Sequence, residues 1–519
     1  MKAPNDGTMS SLNTLISSLS LALLLPVPLA VLNPKWGITK PFLALYLAFA
    51  AAWFWRHRKQ AQNFFAYNEG ESKHSPWFTF AIILVAYIAS ALTFYWSFKT
   101  NSFDFSIFDT MLYNTSAGDF MFTPFCNCNH FSIHITPIMM AIAPFHKVFA
   151  SPYFLLLLQP IALWCAGLML WRLMRHFQTP FGMKWIFLLG FYLNGWTISI
   201  LNYGFHQEVF YPLAGFFLLD ALLERKIAKI VMACIAFISI KEDASFYLFG
   251  LGLGWILFES QQKKIGLILL GIASVAAIVN FGWLLPFFRN SDKGVKELTY
   301  LAFWGHFGNT PGEIVLGMIK HPLQVIGSIL LSQWYLLFGA GLMLSLFAPT
   351  ALLAMFPAIF ILGSSSASPM RSLGLYYSAP ILPFFFWSLL IAYQRLGNTS
   401  WRHHRHRVLS LALCLLMLVK GTTLRYENFS WANLSSLKTV EMEMASVTTP
   451  ICVQSALYPH IAYRPNILPL GPDCWNQSGS RLLLNTSFNM FPYSRDELQQ
   501  LVGAQVLNDT NQLIRTPGR

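Results

Sequence analysis

The sequence predicts an all-α polytopic membrane protein that ends in a small α/β domain. Composition, the length of the apolar runs and a late change in polarity predict this fold class. Of the 519 residues, 55% are hydrophobic and 11% are charged, whereas soluble proteins carry about 25% charged residues. Apolar runs of about 20 residues, the length that crosses a bilayer, recur along the chain. After Lys420 the sequence turns polar, with short β-rich runs.

The apolar runs correspond to about thirteen spanning segments. Several are shorter than the roughly 20 residues of a full crossing. The pair 228–240 and 244–258 would also fit a re-entrant hairpin. The segments are 11–32, 41–55, 76–97, 152–174, 184–201, 209–224, 228–240, 244–258, 265–287, 324–345, 347–363, 375–394 and 408–422.

Basic residues collect in short loops between the apolar runs, which is typical of the cytoplasmic face of a membrane protein. The net charge of +13 therefore does not indicate a nucleic-acid partner. With the N-terminus inside, the loops 98–151, 202–208 and 288–323 and the C-terminal tail are expected outside. The main basic clusters lie at 56–59, 172–175, 225–226, 263–264 and 402–407.

These assignments divide the chain into three regions. Residues 1–75 form an N-terminal two-helix addition, 76–422 the transmembrane domain with its outer loop 98–151, and 423–519 a soluble outer domain. The segment 131–149 is apolar enough for a span. Polar breaks at His134, Pro137 and Pro144 favour an interfacial helix on the outer leaflet instead.

Four cysteines fall on the expected oxidising side, where disulfides form. Cys452 and Cys474 are a candidate pair. Cys126 and Cys128 are separated by one residue, which we expect to be too close for an easy mutual bond.

Two aspartates follow the third apolar run at the start of the outer loop. Asp104 and Asp109 are five residues apart, about 140° of rotation on a helix, so they point in different directions. One would face a cavity while the other caps the helix N-terminus. Asp104 has the better claim to capping, so Asp109 is favoured slightly as the functional carboxylate. Capping or solvation is the alternative role for either.

A charged tripeptide, Lys241-Glu242-Asp243, lies between two apolar runs. Charges at membrane depth cost on the order of 3 kcal/mol each, so they usually face a cavity or a partner. A solvated interfacial turn with a Lys–Glu pair is the alternative.

Histidines mark three other places in the outer loops. His206 lies in a short turn beside Glu208, where it is either functional or a hydrogen-bonding residue of the turn. His130 and His134 have the i, i+4 spacing of two ligands on one helix face, but no third ligand follows from spacing. No metal site is therefore assigned, and a divalent cation is left open as a cofactor. His306 lies in a later outer loop.

The order of these motifs resembles a family of prokaryotic multi-pass membrane proteins of unknown function. The resemblance covers roughly residues 100 to 470. That family is similar in architecture to the GT-C glycosyltransferases, although this outer loop lacks their adjacent acidic pair. The motifs are FDFSIFD at 103–109, HFS at 130–132 with Pro137 and Pro144, Leu155 to Gln159, FH at 205–206, KED at 241–243, HFG at 306–308, YSAP at 377–380 and PHIAYR at 459–464.

The resemblance implies an enzyme that moves a sugar from a polyprenyl-phosphate donor to a glycan, lipid or protein acceptor. It implies a bacterial plasma (inner) membrane protein in contact with membrane lipids, with the N-terminus cytoplasmic and the C-terminal domain periplasmic. Asp109 or Asp104 would be the general base. The donor phosphate and sugar would be bound by Lys241, Glu242, Asp243, His206, His130 and His306.

A transporter or flippase of a lipid-linked or small polar substrate is the runner-up function. It predicts charges in the middle of spans and inverted repetition. Here most charges of interest lie at one face and no repeat is visible, with Asp220 and Glu224 as exceptions. A scaffold whose outer domain binds a partner is a third hypothesis.

Overall fold

A computed structural model describes most of the chain after residue 76. The described ranges are 77–100, 102–291, 299–332, 340–399, 405–418, 424–438, 447–497 and 514–515, with gaps at 432, 436, 465, 486–487, 490 and 495. The expected N-terminal addition, residues 1–75, with its two spans at 11–32 and 41–55, lies outside the described residues.

Most of the described chain is helical. In chain order the helices are α1 (Trp77–Trp96), α2 (Ile107–Ala117), α3 (Pro137–Val148), α4 (Pro152–His176), α5 (Phe181–Leu193), α6 (Gly195–Leu201), α7 (Phe210–Glu224), α8 (Ile227–Ile238), α9 (Ala244–Phe258), α10 (Lys263–Ala277), α11 (Leu285–Ser291), α12 (Pro311–Lys320), α13 (Pro322–Ser332), α14 (Ala340–Ser345), α15 (Pro349–Gly363), α16 (Ser368–Arg371), α17 (Leu382–Leu396) and α18 (Arg405–Leu418).

Three helices of the described chain are long and apolar enough to cross a membrane: α1, α4 and the continuous helix Lys263–Ser291 formed by α10, a π-helical turn and α11. The pair α12 and α13, bent by 91° at its break, would count as a fourth. The prediction of about thirteen spans is therefore not confirmed. Several apolar runs form helices of only 12 to 15 residues, as α5, α8, α9 and α15 do, whereas a full crossing needs about 20 residues.

The run expected as one span at 184–201 is broken at Asn194. This buried residue has extended backbone angles (φ −72°, ψ 151°), and its side-chain oxygen accepts hydrogen bonds from the backbone nitrogens of Trp196 and Thr197. Its amide nitrogen donates to the Gly190 and Phe191 carbonyls. One side chain thus ends α5 and caps α6.

The segment 131–149 contains only the 12-residue helix α3. Its length of about 18 Å is too short to cross the roughly 30 Å hydrocarbon core. Large apolar side chains on α3 remain exposed, among them Phe145 at 63% and Val148 at 73%. An exposed apolar face on a short helix favours the interfacial placement expected from the sequence.

Glycines allow α9 to pack closely against its neighbours. A Cβ added at Gly250 would lie 2.1 Å from the Leu353 carbonyl oxygen of α15, and one at Gly254 would lie 2.9 Å from Thr350 Cα. Small residues that bring backbones together are the usual basis of helix packing in membranes. The contact between α9 and α15 therefore depends on the absence of a side chain at Gly250 and Gly254.

A four-stranded sheet forms the centre of the C-terminal domain, in the order β4-β3-β5-β6. The central strand β3 (Ile451–Val453) is parallel to β4 (Ile467–Pro469) and β5 (Arg481–Leu484), while β6 (Ile514–Arg515) is antiparallel to β5. Cys452 of β3 is bonded to Cys474 of the short helix α19 (Pro472–Trp475), so the candidate pairing is the observed one. The boundary of this domain near residue 423 stays a prediction.

The C-terminal domain docks on the end of α1. The Tyr95 ring stacks on His460 at 4.1 Å, and the Tyr95 hydroxyl donates to the Pro459 carbonyl at 3.1 Å. Phe98 stacks on Phe488 at 4.4 Å and is buried in the same apolar core as β3. The end of α1 and the C-terminal domain thus share one packed interface.

We predict that Gly250→Ala lowers the unfolding free energy by about 1–3 kcal/mol, because the new methyl group overpacks the contact with α15. Gly271→Ala is the matched control. No heavy atom lies within 4 Å of its added Cβ, so it should be neutral or stabilising by up to about 1 kcal/mol. Thermal unfolding of the purified protein measures both. Equal midpoints for the two variants would contradict the close α9–α15 contact.

Candidate functional site

Most of the charged residues predicted for the site come from connections at one end of the helices. The connections are those between α1 and α2, β2 and α3, α6 and α7, and α8 and α9, where strand β2 (Cys128–Asn129) pairs with β1 (Phe122–Thr123) in the first loop. We call the group the acid–base cluster; its members are Asp104, His134, His206, Glu208, Lys241 and Glu242.

Asp104 is the partly open carboxylate of the cluster, with 25% of its side chain exposed. Its Oδ2 accepts a hydrogen bond from Tyr203, and its Oδ1 lies 3.8 Å from His206 Nε2. Asp104 has a left-handed φ of +65°, a conformation that is uncommon outside glycine and often marks functional sites. Burial raises the pKa of Asp104, although the Tyr203 hydrogen bond and the Lys241 charge oppose this.

Asp104 does not cap α2, contrary to the expectation from the sequence. The N-cap of α2 is Ser106, which makes no side-chain capping hydrogen bond within the described chain. The turn Ser102–Ser106, in which Phe103 and Asp104 have non-helical backbone angles, instead directs Asp104 toward the α6–α7 connection.

Glu208 joins Lys241 and His206, two of the residues expected to bind the donor. The Lys241 ammonium donates to Glu208 Oε1 at 2.8 Å, and the His206 ring contacts Glu208 Oε2. The Tyr376 ring stacks on His206 at 3.5 Å. Burial, followed by the charge of Lys241, lowers the pKa of His206, which favours the neutral imidazole. Sequence reasoning missed the bridging role of Glu208 and the contact with Tyr376.

Glu242 is bonded to two residues of the β2–α3 connection. Its Oε1 lies 2.8 Å from His134 Nδ1, and its Oε2 accepts from the Ile135 backbone nitrogen at 3.0 Å. Burial raises the pKa of Glu242, but the charges of His134 and Lys241 outweigh it, so the net shift is downward. Glu242 thus behaves as a carboxylate that orients His134.

His130 lies beside the cluster without bonding to it. It belongs to a 3₁₀ turn, His130–Ser132, that ends before His134, so the two rings do not share one helical face as the spacing suggested. Their centroids are 6.1 Å apart. His130 is 4% exposed, and neither ring nitrogen has a hydrogen-bond partner among the described residues. Burial lowers the pKa of His130 to about 3.

Two predicted site residues lie apart from this cluster. Asp243 accepts hydrogen bonds from Tyr211 of α7 and, at 2.8 Å, Tyr247 of α9, so it joins two helices. His306 is exposed in the turn before α12, and its ring contact within the described residues is with Phe307.

Asp109 has no exposed surface and lies in a different environment. Its Oδ1 accepts a hydrogen bond from the Tyr463 hydroxyl at 2.7 Å and lies 3.3 Å from His146 Nε2. We call this group the docking triad, because it joins α2, α3 and the C-terminal domain. Burial raises the pKa of Asp109. The role of base stays a prediction for both aspartates, but solvent access favours Asp104.

An ion network lies at the far end of α4, whose 25 residues span about 37 Å. There the ligand atoms of His176, Asp220 and Glu224 lie within 4.8 Å of one another, as a metal site would require. The Lys229 ammonium, however, lies 2.6 Å from Asp220 and 2.7 Å from Glu224, and Arg172 bonds both. These carboxylates are already neutralised, so the donor set fits a divalent cation poorly.

Cys126 and Cys128 are bonded to each other, contrary to the expectation from spacing. Asn127 between them has a left-handed φ of +50°. This reversal brings the two Cα atoms to 5.1 Å, within the range that disulfides span. Cys126 lies in the loop of the β1–β2 hairpin, and Cys128 is the first residue of β2.

The sequence matches the family described as "Predicted membrane protein (DUF2079)" over residues 94–480. This range includes the acid–base cluster, the docking triad and two strands of the C-terminal sheet, β3 and β4. Neither a curated protein nor a solved structure matches the chain.

We predict that Tyr463→Phe loosens the C-terminal domain, because the buried Asp109 carboxylate loses a hydrogen-bond donor at a cost of about 1–3 kcal/mol. Hydrogen exchange of residues 451–469 should increase. Tyr113→Phe is the control: this ring stacks on Tyr463 at 4.8 Å, but its hydroxyl makes no hydrogen bond among the described residues. If both variants exchange like the wild type, the triad does not hold the domain.

Proposed function

The chain belongs to the DUF2079 family of predicted membrane proteins, and we propose that it is a membrane glycosyltransferase. It moves a sugar from a polyprenyl-phosphate donor to an acceptor at the outer face of the membrane. The observation that carries the proposal is the partly open Asp104 carboxylate, held beside His206 with the Lys241 cation in the same cluster. The architecture expected for this family, which is similar to that of the GT-C glycosyltransferases, supports the same function.

The proposed reaction is a displacement at the anomeric carbon of the donor sugar. An acceptor hydroxyl forms the new bond to this carbon while the bond to the lipid-phosphate oxygen breaks, and the phosphate leaves with the electron pair. Asp104 takes the proton of the acceptor hydroxyl as general base. An acceptor can reach Asp104 because its side chain is partly exposed. Asp109 has no exposed surface, so an acceptor cannot reach it.

Lys241 is the group best suited to the departing phosphate. Its ammonium has three donors, and the described contact to Glu208 uses one of them. A positive charge held at the leaving group stabilises the charge that develops there. His134, which is held by Glu242, supplies a second polar group in the acid–base cluster. The contacts of Asp243 and His306 give no support for sugar binding.

The proposal places the protein in the bacterial plasma membrane, with the acid–base cluster and the C-terminal domain on the periplasmic side. The exposed apolar face of α3 suits the outer leaflet, where the lipid donor would lie. No step of the proposed reaction uses a metal.

A transporter or flippase is the second candidate, and one observation favours it. Helices α12 and α13 meet at 91°, and broken helices often line transport sites. Against it, the acid–base cluster lies in connections between helices, and Asp220 and Glu224 are paired near the end of α7.

We predict that Asp104→Asn lowers sugar transfer by about 10²–10⁴-fold, the contribution of a general base. Labelled sugar released from a panel of polyprenyl-phosphate-linked hexoses, with an envelope extract as acceptor, measures the rate. Asp473→Asn, which removes an exposed carboxylate of the C-terminal domain, should keep it. Unchanged transfer in Asp104→Asn would refute the proposed base. Sugar that crosses the membrane still attached to its lipid would indicate the flippase.

We also expect transfer to fall on acidification, because a general base must be deprotonated and protonation removes it. Since burial raises the pKa of Asp104 above the usual 3.8, the midpoint of this loss should lie above pH 3.8. The pH dependence of kcat/KM measures it. An acid limb centred at or below pH 3.8 would rule out Asp104 in the environment described.

A further inference from the structure

An open groove of about 740 Å³ lies in the first loop, outside the acid–base cluster. Its volume is in the range of small-molecule sites. One wall is the β1–β2 hairpin and the segment before it, and the other is α11 at the end of the long helix Lys263–Ser291. Six of its lining residues are Asp119, Phe120, Asn127, Phe287, Phe288 and Ser291.

We propose that this groove binds the neutral sugar ring of the acceptor. The inference rests on the proposed function, for which it names the place and chemical class of the second substrate. A pyranose has apolar C–H faces that pack on aromatic rings and equatorial hydroxyls that bond to amides and carboxylates. The groove offers both kinds of surface.

The aromatic side of the groove is partly open. Phe120 is 41% exposed and Phe287 is 55% exposed. Phe288 behind them packs edge-on against Phe131 at 5.3 Å and stacks on Phe120 at 6.4 Å. The rings are therefore braced by each other and present flat apolar surface to a ligand.

The polar side of the groove has groups without partners. Asp119 and Asn127 are exposed, and neither side chain makes a hydrogen bond or ion pair within the described part of the chain. The disulfide between the two neighbours of Asn127 restrains its backbone, which reduces the entropy lost on binding. Because Asp119 has no cation beside it among the described residues, the groove favours hydroxyl donors over anionic sugars.

The groove is next to the acid–base cluster. Asn129 of its wall directly precedes His130, and Arg289 of α11 donates to the Ser132 carbonyl at 2.9 Å. The 3₁₀ turn His130–Ser132 thus separates the groove from His134 and Glu242. A sugar in the groove lies on the same loop that carries the proposed chemistry.

The ligand has two sources, a soluble glycan or a sugar carried on lipid. On the lipid side, α11 continues from a helix whose Trp283 is 65% exposed, one turn before Phe287. An alkyl chain attached to the sugar would therefore meet apolar surface beside the groove.

The test measures binding to the full chain in lipid nanodiscs by saturation-transfer NMR. The probes are methyl and octyl glycosides of glucose, galactose, mannose and N-acetylglucosamine. We expect millimolar binding of at least one sugar. Octyl glycosides tighter by tenfold or more indicate a lipid-carried acceptor, and equal affinities indicate a soluble glycan. Methyl glucuronide should bind more weakly than methyl glucoside.

The variants locate the binding. Asn127→Ala and Asp119→Ala should each weaken it by about tenfold, as expected for a lost hydrogen bond of about 1.4 kcal/mol, and Ser291→Trp should block it by filling the groove. Asn398→Ala, an exposed asparagine elsewhere, is the control and should bind normally. Binding of none of the sugars, or equal binding in all variants, would overturn the proposal.

The failure of this inference is distinguishable from failure of the glycosyltransferase proposal. Asp104→Asn should keep sugar binding in the groove, because Asp104 does not line it. If Asp104→Asn transfers sugar normally while Asn127→Ala binds poorly, the mechanism fails and the groove stands. If transfer depends on Asp104 but no variant alters binding, the groove fails alone.

Discussion

The hydrogen bond from Tyr463 to the enclosed Asp109 carboxylate is the interaction on which the arrangement of the first loop depends. A carboxylate without exposed surface is costly unless it is bonded, so α2 is held where Tyr463 and His146 meet it. With Asp109 directed to this contact, the preceding turn directs Asp104 to the opposite side, toward Tyr203 and His206. One aspartate thus anchors the loop, and the other stays partly exposed beside His206.

The C-terminal domain has a structural role in the same site. Its sheet packs on Phe98, and its turn at His460 stacks on Tyr95, so the end of α1 and the beginning of the first loop are covered by it. Because Asp104 lies only a few residues beyond Phe98, this packing restricts the backbone that carries the proposed base. A substitution in the sheet would therefore affect the position of Asp104 through the contacts of Phe98 and Tyr95.

The carboxylates at the two ends of the helical domain differ in how completely they are paired with cations. At the far end of α4, the ion pairs of Asp220 and Glu224 with Arg172 and Lys229 leave no carboxylate without a cation among these residues. In the acid–base cluster, Glu208 and Glu242 are paired, but Asp104 faces a hydroxyl and a histidine and stays partly open. Such an incompletely neutralised, partly exposed group is a candidate for function rather than for stability.

Sequence by itself determined the membrane class, the polar C-terminal region, the pairing candidate Cys452–Cys474 and the placement of Lys241 and His206 in helix connections. These follow from local composition and spacing, which hydropathy reports directly. Tertiary structure alone decided which aspartate is enclosed, that Glu208 bridges His206 and Lys241, and that Tyr463 reaches Asp109 across 354 positions. It also decided that Asn194 breaks a helix and that Asn127 brings Cys126 and Cys128 together. Pattern reasoning cannot supply these, because burial and long-range partners depend on which surfaces meet in the folded chain.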